Sequence, residues 1–404
     1  MKTMDRVAFT LRRKAPKARR ARGLVAGGLA FACAVTALAI PLSKPAAVKA
    51  SGYSPGPSRN AEPQTVTMPA FAPQPVTAPA SPALAALIQS LGAQFPGHVG
   101  IAVQSVDQGW TVDFNGSQLF PQQSVSKLWV AMTMFDAIDR GKLSLATPVT
   151  IRTEDLTLFH QPIAAMVNRE SGYQTTLEDL FTRAMTQSDN TANDSVLRTV
   201  GGSEAVRAFL ARRFVGNVRF GPGERLLQAK TAGISWSQDL ALSRKFETVR
   251  NRLPMTAREK ALDDYVADPI DGAAPLAIVG ALAKLKRGQM LSPNSTALLL
   301  ETMGEAHTGP NRVKGGVPSD WHYAHKTGTG QELGARQAGY NDVGIMTAPD
   351  GSSYAVAIMI GDTRAPIPKR WDLMHAVARA VAALHQPVPA GTIASSLATR
   401  TYAR

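Results

Sequence analysis

Apolar alternation at both ends of the globular region, helical spacing through its middle, and a capping signal inside that middle together predict an α+β domain. The expected architecture is a five-stranded antiparallel sheet flanked by two terminal helices, with an all-helical subdomain beside it and a cleft between the two. At the start, Leu84, Leu87 and Leu91 mark a short helix, Val99, Ile101 and Val103 a first strand, and Trp110, Val112 and Phe114 a second. At the end, a strand carrying Lys326 is followed by Val343 and Ile345, the hairpin turn Pro349-Asp350-Gly351, and then Tyr354, Val356, Ile358 and Ile360. Leu373, Val377, Val381 and Leu384 close the domain at helical spacing. Two strands at the start and three at the end imply one antiparallel sheet with both terminal helices packed on it. Between them, from Ser124 to about Met303, the pattern is almost all helical, and Thr175-Thr176-Leu177-Glu178 reads as a capping box for the helix that delivers Ser188.

At 404 residues with 44% hydrophobic content, the chain has enough apolar material for one large core or two modest ones. Its net charge of +14 suggests a nucleic-acid partner until the charges are located. Positions 1–50 hold eleven of the basic residues and one acidic residue, a net of +10, which leaves only +4 for the rest. With no aromatic-interleaved basic stripe in the globular part, nucleic-acid binding is not expected.

Positions 1–50 read as a basic leader: Arg12, Arg13, Lys14, Arg19, Arg20 and Arg22 precede an uncharged apolar stretch from Gly23 to Leu42. Positive charge followed by an apolar run is an export signal, so the domain is expected outside the cytoplasm, periplasmic or extracellular. Val48-Lys49-Ala50 offers a small-residue cleavage site, but the apolar stretch is also just long enough to span a bilayer, so a retained membrane anchor at residues 23–42 is the alternative. Cys33, the one cysteine, lies inside that stretch, so the exported domain has no disulfide and no cysteine chemistry. Residues 51–82, rich in Pro, Ala, Ser and Thr, form a linker, residues 83–388 the folded domain, and residues 389–404 a tail. A monomer is expected.

The most informative local pattern is Ser124 three residues before Lys127, in Gln123-Ser124-Val125-Ser126-Lys127, at the opening of an apolar helix. Side chains at i and i+3 share a helix face, so the amine can reach the hydroxyl, and the unpaired N–H groups of the helix start favour negative charge developing there. That is the outline of an acylating serine. S-x-x-K arises by chance about once in a chain of this length, whereas the downstream triplets Ser188-Asp189-Asn190 and Lys326-Thr327-Gly328 are each roughly one-in-ten events. All three in this order are hard to attribute to composition.

Together with Gly201-Gly202 and the run from Thr308 through Arg312 to Thr329, these triplets make the stretch from about Pro82 to Leu384 resemble a class A β-lactamase domain. The resemblance implies a serine hydrolase that opens the β-lactam amide through an acyl-Ser124 intermediate, with no metal or cofactor. Lys127 would be the proton acceptor, a role that needs its neutral form, or at least the group that holds the proton network in place. Ser188 would relay a proton to the leaving nitrogen, and Asn190 would donate to the substrate's side-chain amide, leaving Asp189 structural. Lys326 and Thr327 would hold the substrate carboxylate with Arg312 reinforcing them, Gly328 would let an extended substrate lie close against the strand, and the N–H groups of Ser124 and Thr329 would form the oxyanion hole. His325 is given no catalytic role.

Two features depart from the family pattern. Glu224 falls thirty-six positions after Ser188, the spacing of the water-activating glutamate, yet Gly221-Pro222-Gly223-Glu224-Arg225-Leu226-Leu227-Gln228 does not reproduce the usual E-P-x-L-N text. Glu224 therefore either activates water or merely pairs with Arg225 or solvent. The segment from about Trp236 to Asp271 is longer than the family requires; it reads as two helices divided by Pro254, the second opened by the capping box Thr256-Ala257-Arg258-Glu259. A surface elaboration is the plain expectation for it, and a cleft rim or partner site the other. The expected partner is a small-molecule β-lactam. A D,D-peptidase or penicillin-binding-type enzyme acting on cell-wall stem peptides is the close alternative, and a non-catalytic sensing domain the more distant one.

Overall fold

Ser81 caps the first helix, α1 (Pro82–Gln94), by accepting from the Leu84 N–H at 3.5 Å, and Pro82 fits its first turn. The helix thus begins inside the expected linker. Its buried stripe is Leu84, Ile88 and Gly92, while Leu87 is 39% exposed, so the predicted leucine stripe is rotated. The cause is Phe114, whose ring lies 2.2 Å from where a Cβ on Gly92 would sit. The computed structural model describes residues 79–242 and 244–385. The leader with its apolar segment and Cys33, most of the linker, and the tail lie outside the described residues.

The strands β1 (Gly97–Ser105) and β2 (Thr111–Phe114) pair antiparallel, Ile101 opposite Phe114 and Val103 opposite Val112. Short β3 (Phe120–Pro121) leads through a 3-10 turn, Gln123–Ser126, into α2 (Lys127–Asp139). Residues Lys127 through Ala137 are all buried, which makes α2 the central helix of the helical half. The middle is less uniformly helical than expected, because β4 (Pro148–Ile151) and β5 (Tyr173–Thr176) form a two-stranded ribbon. The capping signal also acts one residue later than predicted: Thr176, not Thr175, accepts from the Asp179 N–H and starts α3 (Leu177–Thr182).

The helical half continues with α4 (Asn190–Thr199), α5 (Gly202–Arg212) and α6 (Glu224–Thr231). In the extra segment, α7 (Lys245–Arg252) and α8 (Met255–Ala267) meet at Pro254 as predicted. Pro254 itself occupies the N-cap position of α8, so Thr256 lies within the helix and the expected capping box does not form. After β6 (Gly272–Ala273), which pairs back to β3, come α9 (Pro275–Lys286) and α10 (Pro293–Gly304).

The chain then returns to the sheet with β7 (His322–Thr329), the small hairpin β8 (Glu332–Leu333) and β9 (Arg336–Gln337), then β10 (Tyr340–Thr347), β11 (Ser353–Thr363) and α11 (Ile367–Ala383). The order β2-β1-β11-β10-β7 is the expected five-stranded antiparallel sheet, with the β8–β9 hairpin attached beside β11. One sheet face carries Ile101, Val103, Val356, Ile358 and Ile360 and packs against α1 and α11 around Leu84, Ile88 and Val377. The opposite face carries Ala102, Ala355, Ala357 and Met359 and joins the core of the helical half around Trp129, Phe135, Phe181 and Phe209. Small residues on that face let α9 approach closely; a Cβ on Gly100 would lie 2.8 Å from Pro275. Among the described residues no helix is long and apolar enough to cross a membrane.

Candidate active site

Ser124 sits on a turn that is clamped from both sides. Gln122, fully buried, donates to the carbonyls of Arg219 and Asp271 and accepts from the Trp129 indole at 2.6 Å. Gln123 has φ +53°, a left-handed conformation that costs a non-glycine residue about 1 to 3 kcal/mol. Three side chains hold it there. Its N–H donates to Asp271 Oδ2 at 2.8 Å, its amide donates to the Tyr265 hydroxyl at 2.7 Å, and its Oε1 accepts from Gln228 at 2.9 Å. Ser124 itself is half-buried and lines a cavity of about 530 Å³ between the two halves.

One turn on, Lys127 opens α2 with its side chain wholly buried. Its ammonium donates to Ser124 Oγ at 2.6 Å, Asn190 Oδ1 at 2.7 Å and Glu224 Oε1 at 2.6 Å, one acceptor for each N–H. Glu224 is thus inside the site, not paired with Arg225 or solvent as the plainer expectation had it. It opens α6 at 3% exposure, its N–H bound to Asp194 Oδ1 and its Oε2 accepting from Gln228. Asp194 is pushed up to about 6, chiefly by burial and then by the adjacent Glu224 charge.

The opposite wall is β7. Lys326 is buried and donates to Ser188 Oγ at 3.0 Å; burial first, and then the nearby Lys127 cation, pulls its ammonium well below the usual lysine range. Ser188 follows a π turn over Arg183–Gln187 and has φ +61°, the local irregularity that aims its hydroxyl at the lysine. Asp189 caps α4, accepting from the Ala192 N–H at 2.9 Å and the Ile163 N–H at 2.7 Å, the structural part expected of it. Asn190 also donates to the Leu158 carbonyl at 2.8 Å, so one amide N–H is already engaged and one is left for a ligand.

Thr327 bonds Thr308 through the two hydroxyls at 2.7 Å, and both line the cavity with Thr329. Arg312 is buried behind them, stacked 3.8 Å over the Tyr340 ring and donating to the Gly328 and Asn341 carbonyls and to Thr329 Oγ1. Gly328 is needed for a different reason than the sequence suggested. A Cβ there would lie 2.3 Å from the Gln122 carbonyl, so the glycine lets β7 press against the turn that carries Ser124, and its missing side chain faces protein, not ligand. His325 is fully buried against Asp342, away from the cavity.

Four residues missing from the sequence-based set complete the architecture: Asp194, Gln228, Tyr265 and Asp271. Gln228 lies one helical turn after Glu224, a spacing that could have flagged it. Tyr265 and Asp271 reach Gln123 across more than 140 positions, for which no local signal exists. They also place the extra segment at the cavity, since Tyr265 of α8 buttresses the turn that carries Ser124 and Arg250 of α7 lines the cavity.

A model of the beta-lactamase enzyme family matches residues 83–385, well over half of the chain. The chain belongs to that family. It is 30% identical over 292 residues to the extended-spectrum beta-lactamase PER-1 of Pseudomonas aeruginosa, covering 71% of this chain and 82% of that protein. To beta-lactamase VEB-1 of the same organism it is 25% identical over 268 residues, 66% of this chain and 78% of the relative. Among solved structures, a beta-lactamase from Chitinophaga pinensis superposes with a TM-score of 0.61 at 28% identity, covering 74% of this chain and 97% of the other. The α+β architecture read from the sequence is the fold of this family.

Proposed function

We propose that this protein is an exported, monomeric serine β-lactamase that hydrolyses the β-lactam amide through an ester on Ser124. One observation carries the reading: a single buried amine, Lys127, lies 2.6 Å from both the Ser124 hydroxyl and the Glu224 carboxylate. The Ser124 proton can therefore pass through Lys127 towards Glu224 as the oxygen attacks the lactam carbonyl. The C–N bond breaks, and the departing nitrogen takes the proton of Ser188, which Lys326 supports; the proton that left Ser124 replaces it, so that Glu224 is ionised again before water attacks. Glu224 then removes a proton from water as the water attacks the ester, and Ser124 leaves with its hydroxyl restored. The N–H groups of Ser124 and Thr329 serve the oxyanion. Lys326, Thr327 and Arg312 hold the substrate carboxylate, and Asn190 holds its side-chain amide. Export rests on the basic-then-apolar order of positions 12–42, through a leader that is cleaved near Ala50 or kept as an anchor.

Stopped-flow hydrolysis of a chromogenic cephalosporin tests the reading. A burst followed by sustained turnover is expected; a stoichiometric burst alone would favour a D,D-peptidase or penicillin-binding-type enzyme, and no labelling of Ser124 by a fluorescent penicillin would favour a sensing domain. Glu224→Gln should let the acyl-enzyme accumulate, visible by intact mass, with kcat reduced by about 10² or more. Unchanged turnover would mean that another carboxylate activates the water.

A further inference from the structure

The extra helices bring a cation to the cleft that the mechanism does not use. Arg250, on α7, lines the same cavity as Ser124 and Ser188. Its helix is anchored one turn earlier, where Phe246 is buried against Leu158, Ala232 and Leu240 and meets the Phe159 ring edge-on at 5.0 Å. Its guanidinium donates to the Glu332 carbonyl at 2.7 Å, which ties α7 to the start of β8. The arginine is therefore positioned, not swinging in solvent.

No carboxylate is bonded to it among the described residues. Among the described residues Arg250 makes no ion pair, although Glu247 lies near enough to act on it and the Glu332 carboxylate shares the cavity wall. Arg258 of α8 lies near enough to repel it, and both arginines bury an Nε–H that meets no protein acceptor. A positioned arginine on the cavity wall with no carboxylate bonded to it, and a second cation behind it, form a place for an anion.

Substrate geometry says which anion. A bicyclic β-lactam carries its ring carboxylate on one side of the lactam and its acylamino side chain on the other. With the ring carboxylate at Lys326 and Thr327 and the lactam carbonyl at Ser124, the side chain would lie against the remaining wall of the cavity, which includes Gly330, Gln331, Glu332 and Arg250. We propose that Arg250, backed by Arg258, is an anion subsite on the cleft rim that selects β-lactams bearing a second acidic group on the acyl side chain. This rests on the β-lactamase reading and adds a substrate class to it.

Benzylpenicillin and carbenicillin differ by one side-chain carboxylate, so the ratio of their kcat/KM values isolates the subsite; a loss common to both reports structural damage and cancels. In the full chain, Arg250→Gln should lower the carbenicillin-to-benzylpenicillin ratio about tenfold, mostly through the carbenicillin KM. Arg258→Gln should lower it less, and Arg250→Lys should keep most of it. Should Arg250→Gln fail to fold, Arg258→Gln and the wild-type protein decide: raising salt from about 20 to about 500 mM should depress the ratio by screening the rim. A ratio that ignores both arginines and salt overturns the subsite while leaving the β-lactamase reading intact. A wild-type protein that turns over neither penicillin overturns both.

Discussion

Asp271 does at residue scale what the motifs do not reveal: its two oxygens accept from the Gln123 N–H and the Tyr265 hydroxyl, holding the left-handed residue just before Ser124. Burial, the largest influence, pushes its carboxyl up to about 6 from an ordinary 3.8. The folded state therefore binds more protons than the unfolded chain between those values. The contribution is full below about pH 4 and is lost as pH rises through about 6. Asp271→Asn removes this titration, so the stability of the wild type relative to the variant should fall by roughly 2 to 3 kcal/mol between about pH 4 and pH 7, read from paired urea midpoints. A pH-independent difference would show that Asp271 titrates as it does unfolded. Ser124 and Lys127 were legible because their contact is local, three positions on one helical turn. Gln123 was not, because its conformation is imposed by residues far away in sequence.

At the scale of elements, the site residues of the helical half sit where a helix begins or a turn ends. Lys127 opens α2, Asn190 opens α4, Glu224 opens α6, and Ser188 follows the π turn after α3. Helix starts concentrate unpaired N–H groups, which suits the carboxylate and oxyanion binding proposed for this site. Asp189 makes one such start possible, satisfying two buried N–H groups at once. Asp189→Ala should therefore cost about 2 to 4 kcal/mol in urea unfolding, and because Asn190 follows it directly, turnover should drop as well. A loss below about 0.5 kcal/mol would mean that water replaces the carboxylate without consequence. Helix identities and the break at Pro254 were readable from spacing and from proline. Cap positions were not, since Thr175 and Thr176 are equivalent in sequence and only the pairing of β4 with β5 selects the second.

For the whole molecule, the sheet half supplies Lys326, Thr327 and Thr329, the helical half supplies Lys127, Ser188, Asn190 and Glu224, and Ser124 lies on the turn between them. The two are welded by a continuous core in which the small-residue face of the sheet meets Trp129 and α9. Every residue of the site falls within 79–385, so a chain beginning at Pro79 should keep the turnover and melting temperature of the full-length protein. Loss of either would show that the leader or linker takes part in folding. The extra helix α7 reaches the cavity wall through Arg250, held there by Phe246 and the Glu332 carbonyl.

By itself the sequence determined the α+β class, the five-stranded sheet with its terminal helices, and the motif residues that gather around the cavity, because periodicity and short motifs are local and survive without coordinates. Tertiary structure decided that Glu224 reaches Lys127, that Gly328 packs against the turn carrying Ser124, and that the added helices help to line the cavity. Those outcomes depend on contacts across roughly one hundred positions or more, where packing selects one arrangement that no neighbouring residue encodes.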